Sequence, residues 1–265
     1  MRRTSTRTGR LLPHRGAQFS VDDDPKLVER RYTWLGVYAH NGFHGAPERA
    51  GLYYWAQIDF LTGTREETDR FTDRLTPVQR SERDVDSWAV DGGVRLRFTV
   101  PFAIGAAYAI GDGGGDDNES KSFEQTGLHS NRSRFTGTRS LLYRYNEALQ
   151  PDLSNLQVLS LFASVPTQRF DASLVYHYFE RNKAGAPVIT DGIDVAPQNA
   201  AVNLGEGLDL VLSYYFGMTP KTAVGDREDL RSNVRLRGSL FRPGEAYGDD
   251  LDDQYRVMLE TTLWF

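Results

Sequence analysis

The chain has 265 residues, no cysteine and a net charge of −5, from 31 Lys and Arg against 36 Asp and Glu. Mild acidity and dispersed Arg residues speak against a nucleic-acid partner, and no run approaches 18 consecutive apolar residues, so no spanning helix is encoded. Mean hydropathy is negative, which is compatible with a large soluble β protein or with a transmembrane barrel, whose strands alternate lipid-facing and lumen-facing residues.

The start, "MRRTSTRTGRLLPHRG", has the basic character of an export signal without its apolar run. Residues 1–28 are therefore read as a disordered tail and residues 29–265 as one β domain. A two-residue period then recurs in "RRYTWLGVYAH", "GLYYWAQIDFL", "DSWAVDGGVRLRF", "PFAIGAAYAIG", "LQVLSLFASV", "DASLVYHYFE", "GLDLVLSYYFG", "SNVRLRGSLF" and the terminal "QYRVMLETTLWF". Successive side chains of a strand point to opposite faces, so each segment has one apolar and one mostly polar face. In the last segment Tyr255, Val257, Leu259 and Leu263 lie opposite Arg256, Met258, Glu260 and Trp264.

Nine strands are thus expected, joined by connections of two alternating lengths. Tight ones are Thr99–Pro101 and Pro166–Arg169; long ones are Thr62–Arg83, Asp112–Ser154 and Arg181–Gly205. Short turns on one side and long loops on the other are the layout of outer-membrane barrels. A soluble sandwich also has many strands, but its strands average five or six residues, whereas these reach the nine to eleven that cross a bilayer at a tilt. The expected fold is an antiparallel transmembrane β-barrel segment, incomplete because nine strands cannot close with both termini on one side. The missing signal points the same way, to a chain that has lost its front or has a misplaced start. The loop Asp112–Ser154 is expected to be ordered and functional, because "FTGTRSLLYRY" carries its own alternation between Gly-rich and Pro-bounded ends.

The run "SFEQTGLHSNRSRFTGTRSLLYRYNEALQPDLSNLQVLSLFASVPTQRFDASLVYHYFERNKAG", together with "GEGLDLVLSYYFG", "LRGSLFRPGEAYG" and "YRVMLETTLWF", resembles the alginate export family of outer-membrane porins. The resemblance implies a barrel of about eighteen strands carrying an anionic uronate polymer outward through a basic lumen, with this chain as the C-terminal half. It also implies that the final Phe265 is an assembly signal for the barrel-assembly machinery, that outer-membrane lipid faces the apolar side, and that the chain is Gram-negative and not an enzyme.

The polar face supplies the candidate path. Arg95, Arg97, Arg235, Arg237 and Arg256 fall on it, and guanidinium groups bind carboxylates in planar pairs and stay charged at any working pH. Asp59, Asp91, Asp171, Asp209 and Glu260 fall on the same face, so the Arg residues are either a substrate path or wall partners of these acids. Aromatic residues on this face, Tyr53, Trp55, Phe179, Tyr215 and Trp264, are candidates for stacking on sugar rings. Those on the apolar face, Trp88, Tyr108, Tyr176, Tyr178 and Tyr214, read as an interface belt. The five His are scattered and no Gly-x-Ser-x-Gly elbow occurs; a hydrolase would need His177 beside Ser160 or Ser173 with a third, orienting group. No cofactor or metal is expected, since "DGGGDDNES" and "YGDDLDDQY" do not match a calcium-loop pattern. A general small-solute porin is the competing function.

Overall fold

In the computed structural model the described residues are 5–10, 14–17, 26–41, 49–69, 80–115, 119–125, 131–193, 195–216, 232–249 and 251–263. Nine long strands form one continuous antiparallel sheet: β3 (Lys26–His40), β4 (Gly51–Asp69), β5 (Arg80–Arg97), β6 (Ala103–Gly111), β10 (Leu156–Pro166), β11 (Phe170–Arg181), β12 (Asn203–Phe216), β13 (Ser232–Pro243) and β14 (Gln254–Thr262). Every neighbour in the sheet is also the next long strand in sequence, so each connection is a hairpin.

The sheet is open: β14 pairs with β13 and with no other described strand. At the other edge, β1 (Ser5–Arg10) and β2 (His14–Ala17) lie end to end against β3 in nearly the same register. A disordered tail is expected over residues 1–28, yet these two stretches are extended and paired. β3 itself begins at Lys26, so the expected boundary after residue 28 falls inside a strand.

Alternation sets the two faces. On the outer face each strand leaves apolar side chains exposed, for example Leu35, Phe60, Leu96, Ile104, Leu161, Leu174, Leu210 and Leu236. Val257 and Leu259, on the edge strand, are 75% and 72% exposed. A soluble sandwich would bury these residues between two sheets. Rings bound this apolar band. At the end with the tight turns stand Phe98, Phe102, Phe170 and Tyr214; towards the other stand Tyr108, Tyr176 and Tyr178. Phe170 and Tyr178 on β11 are about 26 Å apart along the strand, the scale of the apolar band of an outer-membrane barrel.

Connections alternate between a turn end, after β3, β5 and β10, and a loop end, after β4, β6, β11 and β13. One expected loop is largely strand. Residues 62–83 continue β4 to Asp69 and start β5 at Arg80, paired as Gly63↔Val85 through Thr68↔Arg80. "TGTREETD" and "RSERDVD" are polar on both faces, as a hairpin standing in water beyond an apolar band should be, and so carry no two-residue apolar signal.

The polar face is covered. After β6, the chain makes the two-residue strand β7 (Glu119–Ser120) beside β5, then β8 (Arg132–Ser133) and β9 (Leu142–Tyr143), which pair with each other. The alternation of Phe135–Tyr145 thus belongs to a folded loop, not to a strand of the sheet. Phe135 and Leu142 pack on Trp55, Phe162, Val175 and Val211 near mid-sheet. Nearer the loop end, Phe123, Tyr145 and Leu149 join Leu61, Val158, Phe179, Phe241 and the short helix Glu245–Tyr247 in a larger core. Burying these loop side chains gives the segment its order, at roughly 25 cal/mol per Å² of apolar surface removed from water.

Candidate functional site

The loop 131–154 and the inner wall form one site, built mostly from groups on opposite sides of that contact. The loop leaves β6 at a neck where the Asp112 carbonyl accepts the N–H groups of Phe123 and Asn155, each at 3.0 Å. Its far point is Arg139. There Nη2 donates to the carbonyls of Thr167 (3.3 Å) and Gln168 (2.6 Å) in the β10–β11 turn. The loop therefore travels the whole length of β10, about 35 Å at the usual strand rise.

Three wall carboxylates hold it. Asp171 accepts the backbone N–H of Arg139 at 2.8 Å, while the Arg139 guanidinium lies 3.5 Å over the Tyr215 ring. Asp91 pairs with Arg144 and accepts from the Tyr145 hydroxyl (3.0 Å) and the Trp55 indole (2.9 Å). Asp209 accepts from Asn146 Nδ2 (2.9 Å), the Glu147 N–H (3.2 Å) and Ser239 Oγ (2.5 Å). Asn146 has φ of +78°, a left-handed conformation that Asn tolerates better than most residues. Its Oδ1 in turn caps the N–H groups of Ala148 and Leu149. Gly207 makes room for it, because a Cβ there would meet Asn146 Nδ2 at 2.7 Å.

All five candidate Arg residues lie on this face, in distinct settings. Arg235 Nη1 is 3.0 Å from Glu260, and Arg237 lies 3.2 Å from Glu260 and 3.4 Å from Glu147 of the loop. Arg256 donates to the Glu147 carbonyl at 3.4 Å. Arg95, fully buried, donates to the carbonyls of Phe135 (2.9 Å) and Arg134 (3.3 Å). Gly137, at φ of +85°, lets the loop cross that guanidinium, which a Cβ would meet at 2.9 Å. Among the described residues no carboxylate lies within ion-pair distance of Arg95 or Arg97, and Arg97 Nη1 is buried without a hydrogen bond. Asp59 contacts Gln57 instead of a cation. Phe265 and Trp264 lie outside the described residues.

Of the aromatic candidates on this face, Trp55, Phe179 and Tyr215 are buried by the loop and core. The residues that sequence reasoning passed over are the loop's own: Arg132, Arg139, Arg144, Asn146 and Glu147. Their signal was the run Arg132, Arg134, Arg139, Arg144 with no acid before Glu147. Two of that run meet wall acids, Arg139 at Asp171 and Arg144 at Asp91.

Ser160 Oγ is 2.8 Å from His177 Nδ1, and His177 Nε2 is 3.2 Å from Asp209. The three groups are in contact, but all are buried under the loop and Asp209 is already the socket for Asn146 and Glu147. Asp209 thus ties this group to the docked loop.

At the loop end, burial, with Asp191 nearby as second cause, pushes the Asp152 carboxyl up to about 6. A raised carboxyl contributes its full stability below its unfolded value near 4 and loses it as pH rises through about 6. The contribution of Asp152 to loop packing is therefore expected to be larger at pH 4 than at pH 7, by at most about 3 kcal/mol. Asp152→Asn should match the unaltered protein at pH 4 and resist loop proteolysis better at pH 7. Equal proteolysis rates of the two proteins at pH 7 would contradict this.

A sequence profile of the family described as alginate export matches residues 6–257. The chain is 38% identical over 249 residues to the alginate production protein AlgE of Pseudomonas aeruginosa, covering 92% of this chain and 51% of that protein. It is 35% identical over 264 residues to the protein of that name from Azotobacter vinelandii, covering 96% and 54%. For the Pseudomonas syringae pv. tomato protein the figures are 33% over 263 residues, 92% and 52%. The chain thus spans about half the length of the curated relatives it matches.

Proposed function

Since this chain belongs to the alginate export family, we propose that it forms the C-terminal half of the wall of an outer-membrane channel that conducts an anionic uronate polymer. The observation that carries this reading is the combination of a lipid-compatible outer face with an inner face on which, among the described residues, Arg95 and Arg97 have no carboxylate partner. Lipid would meet Leu161, Leu174 and their neighbours, and water and polymer the opposite side. The unpaired edge of β14 is where further strands would join, because an open edge exposes unsatisfied backbone groups that a membrane cannot hydrogen-bond. Phe265 would be read by the barrel-assembly machinery as the end of the last strand. The chain would act as a conduit and not as an enzyme.

Passage of a polyanion needs attraction that does not trap. Arg97 would offer a cation to each passing carboxylate, with Arg95 buried behind the loop adding positive field, while Arg235 and Arg237, already shared with Glu260 and Glu147, would contribute little net field. These compensated pairs are also what favours the second reading, a general small-solute porin. Flux into liposomes separates the two. Uronate hexamers are expected to enter about ten-fold faster than neutral hexasaccharides, a difference of about 1.4 kcal/mol, which one cation–carboxylate contact in a confined pore can supply. Equal entry rates would leave the general porin.

A further inference from the structure

On the same face but near the loop end, outside the contact just described, Arg30, Arg65 and Arg83 stand directly opposite one another on β3, β4 and β5. Like charges paired across strands are destabilising, so this row needs an anion. Glu67 answers part of it, 2.8 Å from Arg65. The rest is met by one side chain from the loop, Glu124. Its Oε1 accepts from the Tyr32 hydroxyl (3.0 Å) and Arg65 Nη1 (2.9 Å), and its Oε2 lies 3.0 Å from Arg30 Nε. The Glu124 carbonyl accepts the Trp34 indole N–H at 3.1 Å, and the Tyr32 and Trp34 rings meet edge to face at 5.5 Å.

We infer that Arg30, Arg65, Tyr32 and Trp34 form a binding site for one uronate unit of the polymer, and that Glu124 is the chain's own occupant of that site. The inference rests on the proposed polymer-conducting function and names a subsite of it. A carboxylate held between two guanidinium groups and a phenol, beside two perpendicular aromatic rings, is the chemistry that recognises a sugar acid: the charge goes to the cations and the flat face of the ring to the aromatics. Two observations set this apart from a simple latch. The row carries three cations, among the described residues Glu124 and Glu67 are the acids placed against Arg30 and Arg65, and Arg83 Nε is buried without a hydrogen-bond partner. The Arg side chains also remain reachable, at 39% and 26% exposure for Arg30 and Arg65. Exchange of Glu124 for a polymer carboxylate leaves the charge of the site unchanged, and it frees residues 119–125 from the mouth.

An internal occupant weakens apparent affinity by the fraction of time the site is open. With the site open about a tenth of the time, Glu124→Gln should bind hexamannuronate about ten-fold more tightly than the unaltered protein, read by titration calorimetry in detergent. Arg65→Gln added to that variant should abolish the gain, and affinity for a neutral hexasaccharide should not change. In the unaltered protein, hexamannuronate should also speed hydrogen exchange of the Phe123 amide, which needs no variant to fold. Glu124→Gln binding no tighter, or gaining equally for the neutral sugar, would overturn the inference, as would unchanged exchange at Phe123. If the unaltered protein still prefers uronate in liposome flux while those results fail, only the subsite falls. If hexamannuronate neither binds nor permeates in any variant, the proposed function falls with it.

Discussion

Replacing residues 131–149 with a short Gly-Ser link will raise the single-channel conductance of the reconstituted protein several-fold. The segment lies along the inner face from the neck at Asp112 to the turn at Gln168, so its removal clears a strip of the wall over its full length. If the proposed channel closes with about eighteen strands, it would leave an aqueous lumen when nothing folds inward, and conductance scales with the open cross-section. The milder variant Asp91→Asn keeps the segment but removes the negative charge that Arg144 faces. Taking one partner from a buried ion pair costs roughly 3–5 kcal/mol because the other charge is left uncompensated, and Asp91 also anchors Tyr145 and Trp55. Asp91→Asn should therefore show frequent transitions between a low and a high conductance level, where the unaltered protein holds the low one. Conductance unchanged by both variants would mean that the loop lies clear of the conducting path.

The sheet was legible because a two-residue period is a direct consequence of strand geometry, and it located all nine long strands and both faces. It faded where its physical cause faded. The outer parts of β4 and β5, with Arg65, Glu66, Glu67 and Arg83, carry polar side chains on both faces and so show no apolar alternation. The wall positions of Arg95, Arg237 and Asp209 followed from parity alone. Their partners did not, since Phe135, Glu147 and Asn146 reach them from a loop between 40 and 90 residues away in sequence, for example 40 for Phe135 and Arg95, 63 for Asn146 and Asp209, and 90 for Glu147 and Arg237. Strand periodicity carries no information about how a loop folds. The sequence shows only that one loop carries four Arg residues with no acid before Glu147.

The two Arg-x-Arg pairs, alike in sequence, are expected to behave differently. Arg95→Ala with Arg97→Ala should cut flux of a polyuronate by an order of magnitude or more while changing flux of a neutral sugar less than two-fold. Arg235→Ala with Arg237→Ala should instead lower the unfolding temperature and change both fluxes alike. The difference lies in what each guanidinium already touches. Arg235 and Arg237 share Glu260, and Arg237 also holds Glu147; removing them takes both cations from Glu260, leaves Glu147 with Arg132 and loosens the loop from β13. Among the described residues Arg95 and Arg97 have no such acid; Arg95 is buried against the loop, so the charge a substrate would reach is that of Arg97. In a confined pore with few mobile ions a cation acts on a carboxylate at an effective dielectric nearer 20 than 80, worth about 1–4 kcal/mol at contact. Losing the Arg97 contact alone removes about a factor of ten, since about 1.4 kcal/mol is tenfold. Arg95 also donates to the Phe135 carbonyl, so Arg97→Ala alone is the cleaner probe: it should reduce polyuronate flux without altering loop proteolysis. If Arg97→Ala leaves polyuronate flux intact, or if the Arg235 and Arg237 pair proves to be the one that discriminates charge, the free cations of β5 are not the polymer path.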